Sequence, residues 1–329
     1  MAPTRAAVDL RLRPYAGEPD LAEIVRILNA EAEADRIMER RTMDGLAAEF
    51  SHPSESFDPR RDVTVAEVDG RPVAVAKREW VDTTDGLREY RLDGAVEPAW
   101  RRRGIGTALL LESERRMREL AATHATANPH VLGSWSGDTQ PGDATLLRTA
   151  GFAPVRWFFE MSRPTLGGVA EVPLPDGLEV RPIGREGAKQ VWDADVEAFS
   201  DHWGGFDHSD EHLERWLADP STDLALWVVA FDGDEVAGGI INAIDAAENA
   251  ALGLRRGWLA SVFTRRRWRN RGLATALIAR SLTLLRERGM TSAVLGVDAD
   301  NPSGALGIYE RVGFEVTYRS TAWRKPFQP

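Results

Sequence analysis

The chain has 329 residues, 43% hydrophobic and 28% charged, with 41 basic against 51 acidic side chains and no cysteine. At about 150 residues per domain this length predicts two domains, and the composition is that of a globular protein rather than a disordered one. A net charge of −10 opposes global attraction to nucleic acid or an anionic membrane, and the absence of cysteine excludes disulfides, thiolate metal ligands and thiol nucleophiles.

The first residues carry no apolar core of signal-peptide length. The longest apolar run, Leu224 to Phe231, has eight residues, against about 20 for a membrane helix. A cytoplasmic protein with no membrane partner is expected.

Read in chain order, the sequence repeats itself. Arg13-Pro14 recurs as Arg181-Pro182, Asp69-Gly70 as Asp232-Gly233, Gly104 as Gly272 and Gly151-Phe152 as Gly313-Phe314, at offsets between 162 and 168 residues. Four pairs in one order at nearly one spacing indicate two copies of a single domain, 8–163 and 178–325. The Pro- and Gly-rich stretch 164–177 reads as an ordered linker.

In the second copy, residues 186–199 carry helically spaced apolar positions, and 211–217 read as another helix. Leu224 to Phe231 reads as a buried strand. Asp232-Gly233 closes a hairpin onto a strand over 235–243. A strand follows over 258–264, then an amphipathic helix over 274–288 stopped by Gly289. A buried strand over 292–297, a short helix over 304–311 stopped by Gly313, and a last strand from Phe314 complete the copy. Each copy is thus α+β.

Two segments between a strand and a helix stand out. The first runs from Val96 through Arg101, Arg102, Arg103, Gly104, Ile105 and Gly106 to Thr107. The second runs from Thr264 through Arg269, Asn270, Arg271, Gly272, Leu273 and Ala274 to Thr275. Each reads Arg-x-x-Gly-x-Gly/Ala. Glycine tolerates positive φ and close ligand approach. The first amides of a helix lack intrahelical partners and sit at the positive end of its dipole, so the segment is a cradle for a diphosphate. Neither copy has the Gly-Lys-Ser/Thr of a nucleotide P-loop. Neither has the third glycine and following acid of a dinucleotide site.

Together with Asn301-Pro-x-x-Ala-x-x-x-Tyr309-x-x-x-Gly313-Phe314, these segments resemble the GNAT N-acetyltransferases, and the doubling resembles tandem GNAT proteins. The resemblance implies two GNAT-like domains, each a mixed, mostly antiparallel sheet flanked by helices. It implies acetyl-CoA as co-substrate and a primary amine on a small molecule as acceptor, attacked directly in a ternary complex. Val262, Phe263 and Thr264 would pair with the pantetheine arm, Arg269 to Thr275 would hold the diphosphate, and Asn301 and Gly304 would flank the arm. Tyr309 would be the general acid for the leaving thiolate.

A proton acceptor is sought in the loop after the first helix of the second copy, with His202 first and Asp201 and Glu197 behind it. His208 and His212 are four apart but lack a third ligand, so no metal is expected. The arginines come without a set of stacking aromatics, so no nucleic acid is expected either.

The repeat places Leu147 where the second copy has Tyr309. The first copy is therefore read as a degenerate scaffold whose intact loop, Val96 to Thr107, keeps CoA binding open. Two other readings stay open from sequence: a CoA-binding module without turnover, and acetylation of protein amines. Whether the chain is a monomer or a homodimer is also open.

Overall fold

The computed structural model describes residues 9–200, 202–204, 209–218, 222–301 and 304–328. It divides into two units, residues 1–155 with 321–329, and residues 156–320.

The first unit opens with strand β1 (Leu10–Pro14) and helices α1 (Glu18–Ala34), α2 (Met43–Ser51) and α3 (Pro59–Asp62). Strands β2 (Val63–Val68) and β3 (Arg71–Asp82) follow, joined by Asp69-Gly70. Both turn residues have positive φ, 52° and 75°, as a two-residue hairpin turn matching strand twist requires. Then come β4 (Arg88–Val96), α4 (Ile105–Ala121), β5 (His130–Gly137) and α5 (Pro141–Thr149). The strand order is β1-β2-β3-β4-β5; the first four pair antiparallel and β4 pairs β5 in parallel. Side chains alternate across a sheet. Val63, Val65 and Val75 accordingly meet Ile24 and Ile27 of α1, while Ala74 and Ala76 on the other face meet Ile105 and Leu109 of α4.

Strand β6 (Ala153–Arg163) leads into the second unit. There β7 (Leu178–Arg181), α6 (Arg185–Phe199), α7 (Asp210–Ala218), β8 (Val228–Asp232), β9 (Glu235–Ala243), α8 (Ala246–Leu252), β10 (Arg256–Thr264), α9 (Leu273–Glu287), β11 (Ser292–Asp298), α10 (Ala305–Arg311) and β12 (Glu315–Pro326) follow in turn. The strand order is β6-β11-β10-β9-β8-β7, with β10 and β11 parallel and the other neighbours antiparallel. Helix α6 buries Ala188, Val191, Ala194 and Ala198 against Val229, Ile241 and Phe263. Helix α9 buries Leu273, Leu277, Leu282 and Leu285 against Ala230, Ile240 and Leu259 from the opposite face. Each fully buried Leu or Ile contributes about 1.5–3 kcal/mol.

Two local expectations change. The apolar run 224–231 is not one strand: the Asp223 side chain accepts the Ala225 N–H at 2.9 Å and starts a 3-10 turn over Leu224–Leu226 before β8 begins. Helix α8, capped by Asp245 on the Glu248 amide at 2.7 Å, was not expected. The units also cut the chain differently from the copies at 8–163 and 178–325. Residues 156–163 belong to the second unit, where Phe158 to Arg163 pair with β11. Residues 321–329 belong to the first, where Trp323 donates to Ser136 at 2.9 Å, Arg324 to Asp85 at 2.6 Å, and Lys325 pairs with Glu114 at 2.8 Å. A repeat shows which copy encodes a strand, not which unit the strand joins.

The stretch 164–177 is tied to the second unit. Leu166 is buried in its core and donates its N–H to Thr291, and Arg280 donates to the Val172 carbonyl at 2.7 Å.

Candidate functional site

Strand β10 stays with β11 for only three pairs, Arg256–Ser292 to Trp258–Val294, although it runs on to Thr264 and β11 runs on to Asp298. On its other edge it follows β9 from Trp258 to Thr264, with an irregularity between Leu259 and Ser261. The sheet therefore splays in its middle, and along Leu259 to Thr264 alternate N–H and C=O groups of β10 have, among the described residues, no strand to pair with on that side. A main-chain ligand with amides of its own is the natural filler of such an edge. At the end of this edge Thr264 carries a buried Oγ1 with no partner among the described residues.

Beyond Thr264 the chain makes a 3-10 turn over Arg266–Trp268 and enters α9 through two left-handed residues, Asn270 at φ 61° and Gly272 at φ 82°. Gly272 is the N-cap, and among the described residues no side chain caps the helix. Among the described residues no main-chain carbonyl accepts from the amides of Asn270 to Thr275; the first such bond is Ala276 to Gly272. A Cβ on Gly272 would meet no atom within 4 Å. Unpaired amides, a helix dipole and open space are what an anion requires.

The arginines before this turn divide their work. Arg269 donates Nε to the Thr264 carbonyl and Nη2 to the Ala198 carbonyl, both at 3.0 Å, so its guanidinium is a strut between β10 and α6. Arg265 pairs with Glu197 at 2.6 Å and also donates to the Val236 carbonyl. Arg267 pairs with Glu235 at 2.9 Å. Both stack on the ring of Trp268, which is buried and bonded to Asp232. Arg271 is exposed beside Gly272.

Of the residues expected around the reaction, Tyr309 is buried in the core on α10, edge-on to Phe314. Burial pushes its hydroxyl up to about 12. Asn301 and Gly304 form the approach to α10: the Gly304 amide donates to the Asn301 carbonyl, and Gly304 is left-handed at φ 70°. Val262 and Phe263 sit on opposite faces of β10, in the α9 and α6 cores. The expected proton acceptors are less well placed. Glu197 is occupied by Arg265, and the His202 ring packs on Phe199 at 4.4 Å between centroids. Asp201 and His208 lie outside the described residues. His212 stacks on Trp192, and no group of three or more His, Cys, Asp or Glu side chains among the described residues is placed to hold a metal.

One acidic residue here escaped the sequence reading. Asp195 of α6 is buried and accepts the Ser261 hydroxyl at 2.5 Å. Burial pushes its carboxyl up to about 6, and the Ser261 bond opposes the shift. The signal was available: position 195 falls on the apolar stripe formed by Ala188, Val191, Trp192 and Ala198, where a carboxylate is out of pattern.

The first unit repeats the scaffold with different chemistry. Strand β4 leaves β5 after Arg91–Gly133. Arg102 and Gly104 have φ of 63° and 83°, and Gly104 caps α4 with no side-chain bond. Arg101 donates Nε to the Val96 carbonyl at 3.2 Å, the same strut as Arg269, and its other nitrogens hold Asp35 at 2.6 Å and Glu31 at 3.3 Å. Here the strand edge is already engaged: Ser134 Oγ donates to the Leu92 carbonyl at 2.7 Å, and the Val96 amide donates to Glu31. Burial, with the charge of Asp143 next, pushes Glu31 up to about 8. Leu147 is core. Arg103 stacks on Trp100, and Ile105, Gly106 and Thr107 form the first turn of α4.

Residues 188–314 match the acetyltransferase (GNAT) family and residues 59–137 a GNAT acetyltransferase domain. A mycothiol acetyltransferase of Geodermatophilus obscurus is 27% identical over 93% of this chain and 94% of its own length. The Streptomyces avermitilis mycothiol acetyltransferase is 30% identical over 71% of each chain. Among solved structures, a GCN5-related N-acetyltransferase from Sphaerobacter thermophilus superposes with a TM-score of 0.72 at 24% identity, over 97% of this chain and 96% of that one. A tandem GNAT protein from the clavulanic acid biosynthesis pathway also gives 0.72, at 17% identity, over 98% and 99%. No helix among the described residues is long and apolar enough to cross a membrane.

Proposed function

The chain belongs to the GNAT acetyltransferase family, as a tandem member, and on that premise we propose that its second unit transfers acetyl from acetyl-CoA to a primary amine of a small molecule. The observation that carries this reading is the splayed edge of β10 running directly into the uncapped, left-handed entry of α9. The edge suits the amides of a pantetheine arm, with Val262, Phe263 and Thr264 along it and Asn301 and Gly304 opposite. The turn suits a diphosphate, with the amides of Asn270 to Thr275 as donors and Arg271 as an added charge. Arg269 acts as a strut that holds turn and strand together, not as a phosphate ligand through its guanidinium.

The donor supplies an acyl carbon activated by a thioester. The protein's part is to align it, to stabilise the negative charge that develops on its oxygen, and to manage protons. Strand amides near Val262 stabilise that charge without reorganising. Tyr309 protonates the departing sulfur; burial keeps its proton in place until a thiolate appears. Direct attack needs no covalent enzyme intermediate, which accords with a chain lacking cysteine.

The first unit serves as a scaffold without turnover. It has Leu147 in place of an acid, its strand edge is engaged by Glu31 and Ser134, and Glu31, Asp35 and Asp143 place carboxylates around Arg101. Asp35 answers the charge of Arg101, and Glu31, raised to about 8 and so largely protonated at pH 7, blocks the Val96 amide, which together weaken any hold on an anionic diphosphate. The relatives named mycothiol acetyltransferases favour a small-molecule acceptor over a protein amine.

Acetyl-CoA consumption with a panel of amines, read as free thiol, tests the reading. Amine-dependent thiol release is expected. Tight CoA binding with no release under any amine would show a binding module instead.

A further inference from the structure

The buried Asp195–Ser261 pair has no structural need for its charge. No charged side chain described on the elements packed against α6 offsets it: Glu235 of β9 pairs with Arg267, Arg256 of β10 with Glu248, and Glu214 and Asp210 of α7 with Arg185 and Lys189. Beyond β10, Arg265 is taken by Glu197 and Arg269 donates to the Thr264 and Ala198 carbonyls, and His212 stacks on Trp192. On α6 itself, Lys189 also holds Asp193. A carboxylate buried with a single hydroxyl partner weakens the fold where an apolar residue would strengthen it.

Its position is specific. Ser261 lies three residues beyond the last β10–β11 pair and directly after the irregularity at Leu259, on the stretch of β10 that has left its neighbour. Asp195 is therefore one hydroxyl away from the strand edge on which, in the reading above, the thioester rests. A serine oxygen that donates to a carboxylate keeps lone pairs for an N–H donor.

We propose that Ser261 and Asp195 are the proton exit for the acceptor amine. The arriving ammonium passes one proton to Ser261 Oγ while the Ser261 hydroxyl proton passes to Asp195, which frees the nitrogen lone pair; an amine that arrives neutral skips this step. The nitrogen then bonds to the acyl carbon, the C–S bond breaks with its electron pair leaving on sulfur, and the sulfur takes the Tyr309 proton. Tyr309 regains a proton from the acylated nitrogen through water and Asp195 releases its proton to water, so ammonium and thioester yield amide, free thiol and one proton. Ser261 is the group that touches the nucleophile; Asp195 works through it. A carboxyl near pH 6 accepts a proton at neutral pH and returns it readily.

This inference rests on the proposed acetyl transfer, and the test separates the two. Thiol release from acetyl-CoA is measured with two small nucleophiles: methylamine, which is mostly protonated at pH 7, and hydroxylamine, which is mostly neutral there. Asp195→Asn keeps a side-chain oxygen for Ser261 and removes the charge; Ser261→Ala removes the relay with little change in volume. Both are expected to lower the methylamine rate about 10- to 100-fold while leaving the hydroxylamine rate within about threefold. The wild-type methylamine profile should break near pH 6, and that break should be absent in Asp195→Asn, whose rate follows the free amine alone across the range. Equal loss with both nucleophiles, or no loss with either, would overturn the relay. So would a break near pH 6 retained in Asp195→Asn and lost in His202→Ala. Wild-type enzyme that released no thiol with either nucleophile would overturn the acetyl-transfer reading together with the relay.

Discussion

Arg269 Nε donates to the Thr264 carbonyl at 3.0 Å, and 168 residues earlier Arg101 Nε makes the same bond to Val96 at 3.2 Å. In both units the first arginine of Arg-x-x-Gly locks the end of a diverging strand to the helix that opens the copy. The motif's arginine is thus the brace behind the cradle. Bonds from a charged donor contribute about 1.5–3 kcal/mol. Arg269→Ala should therefore weaken CoA binding about tenfold by calorimetry and lower the melting temperature as well. Loss of affinity with unchanged thermal stability would point to a direct phosphate contact instead.

Asp195 leaves a signature on stability. Its folded carboxyl sits at about 6 and an unfolded one at about 3.9. The folded state therefore gains most below pH 4 and loses that gain as pH rises through 6. About two units correspond to roughly 3 kcal/mol. Asp195→Asn should match wild type near pH 4 and exceed it above pH 6.5 in denaturant melts. Equal stability at both ends would mean that the carboxyl titrates normally.

Tyr309 is buried by core contacts and touches Phe314 with its ring. Tyr309→Phe retains that packing. Thiol release with a primary amine should fall on the order of 100-fold, with CoA affinity and melting temperature nearly unchanged. A variant of full activity would reduce Tyr309 to a core residue.

The first unit should take CoA poorly. Glu31 holds the Val96 amide, and Asp35 and Glu31 surround Arg101. Calorimetry at neutral pH should show one strong CoA site per chain. Glu31→Ala, which takes the side-chain oxygen off the Val96 amide, is expected to reveal a second, weaker one. Two equal sites in wild type would contradict the assignment of a degenerate cradle.

Much of this was legible in the sequence because glycine marks backbone geometry. Gly104 and Gly272 share a left-handed conformation at 83° and 82°, and Gly151 and Gly313 do so at 88° and 87°, so the repeat could be read from those letters. The unit membership of 156–163 and 321–329 could not, since strands in either unit accept apolar alternation equally well. Nor could the jobs of the arginines: seven letters from 265 to 271 do not say which side chains turn back to carbonyls and carboxylates. Asp195 was visible as a misfit on an apolar stripe, but its partner Ser261 lies 66 residues away on another element.

The cradle itself is tested most directly by calorimetric titration of wild type and Gly272→Val with CoA and with pantetheine, which lacks the diphosphate. Wild type should bind CoA far more tightly than pantetheine. In Gly272→Val, a folded variant judged by its melting curve, a branched side chain at φ 82° fills the space in front of the α9 amides, and that preference should vanish. A variant that kept the full preference for CoA would place the diphosphate elsewhere and contradict the account.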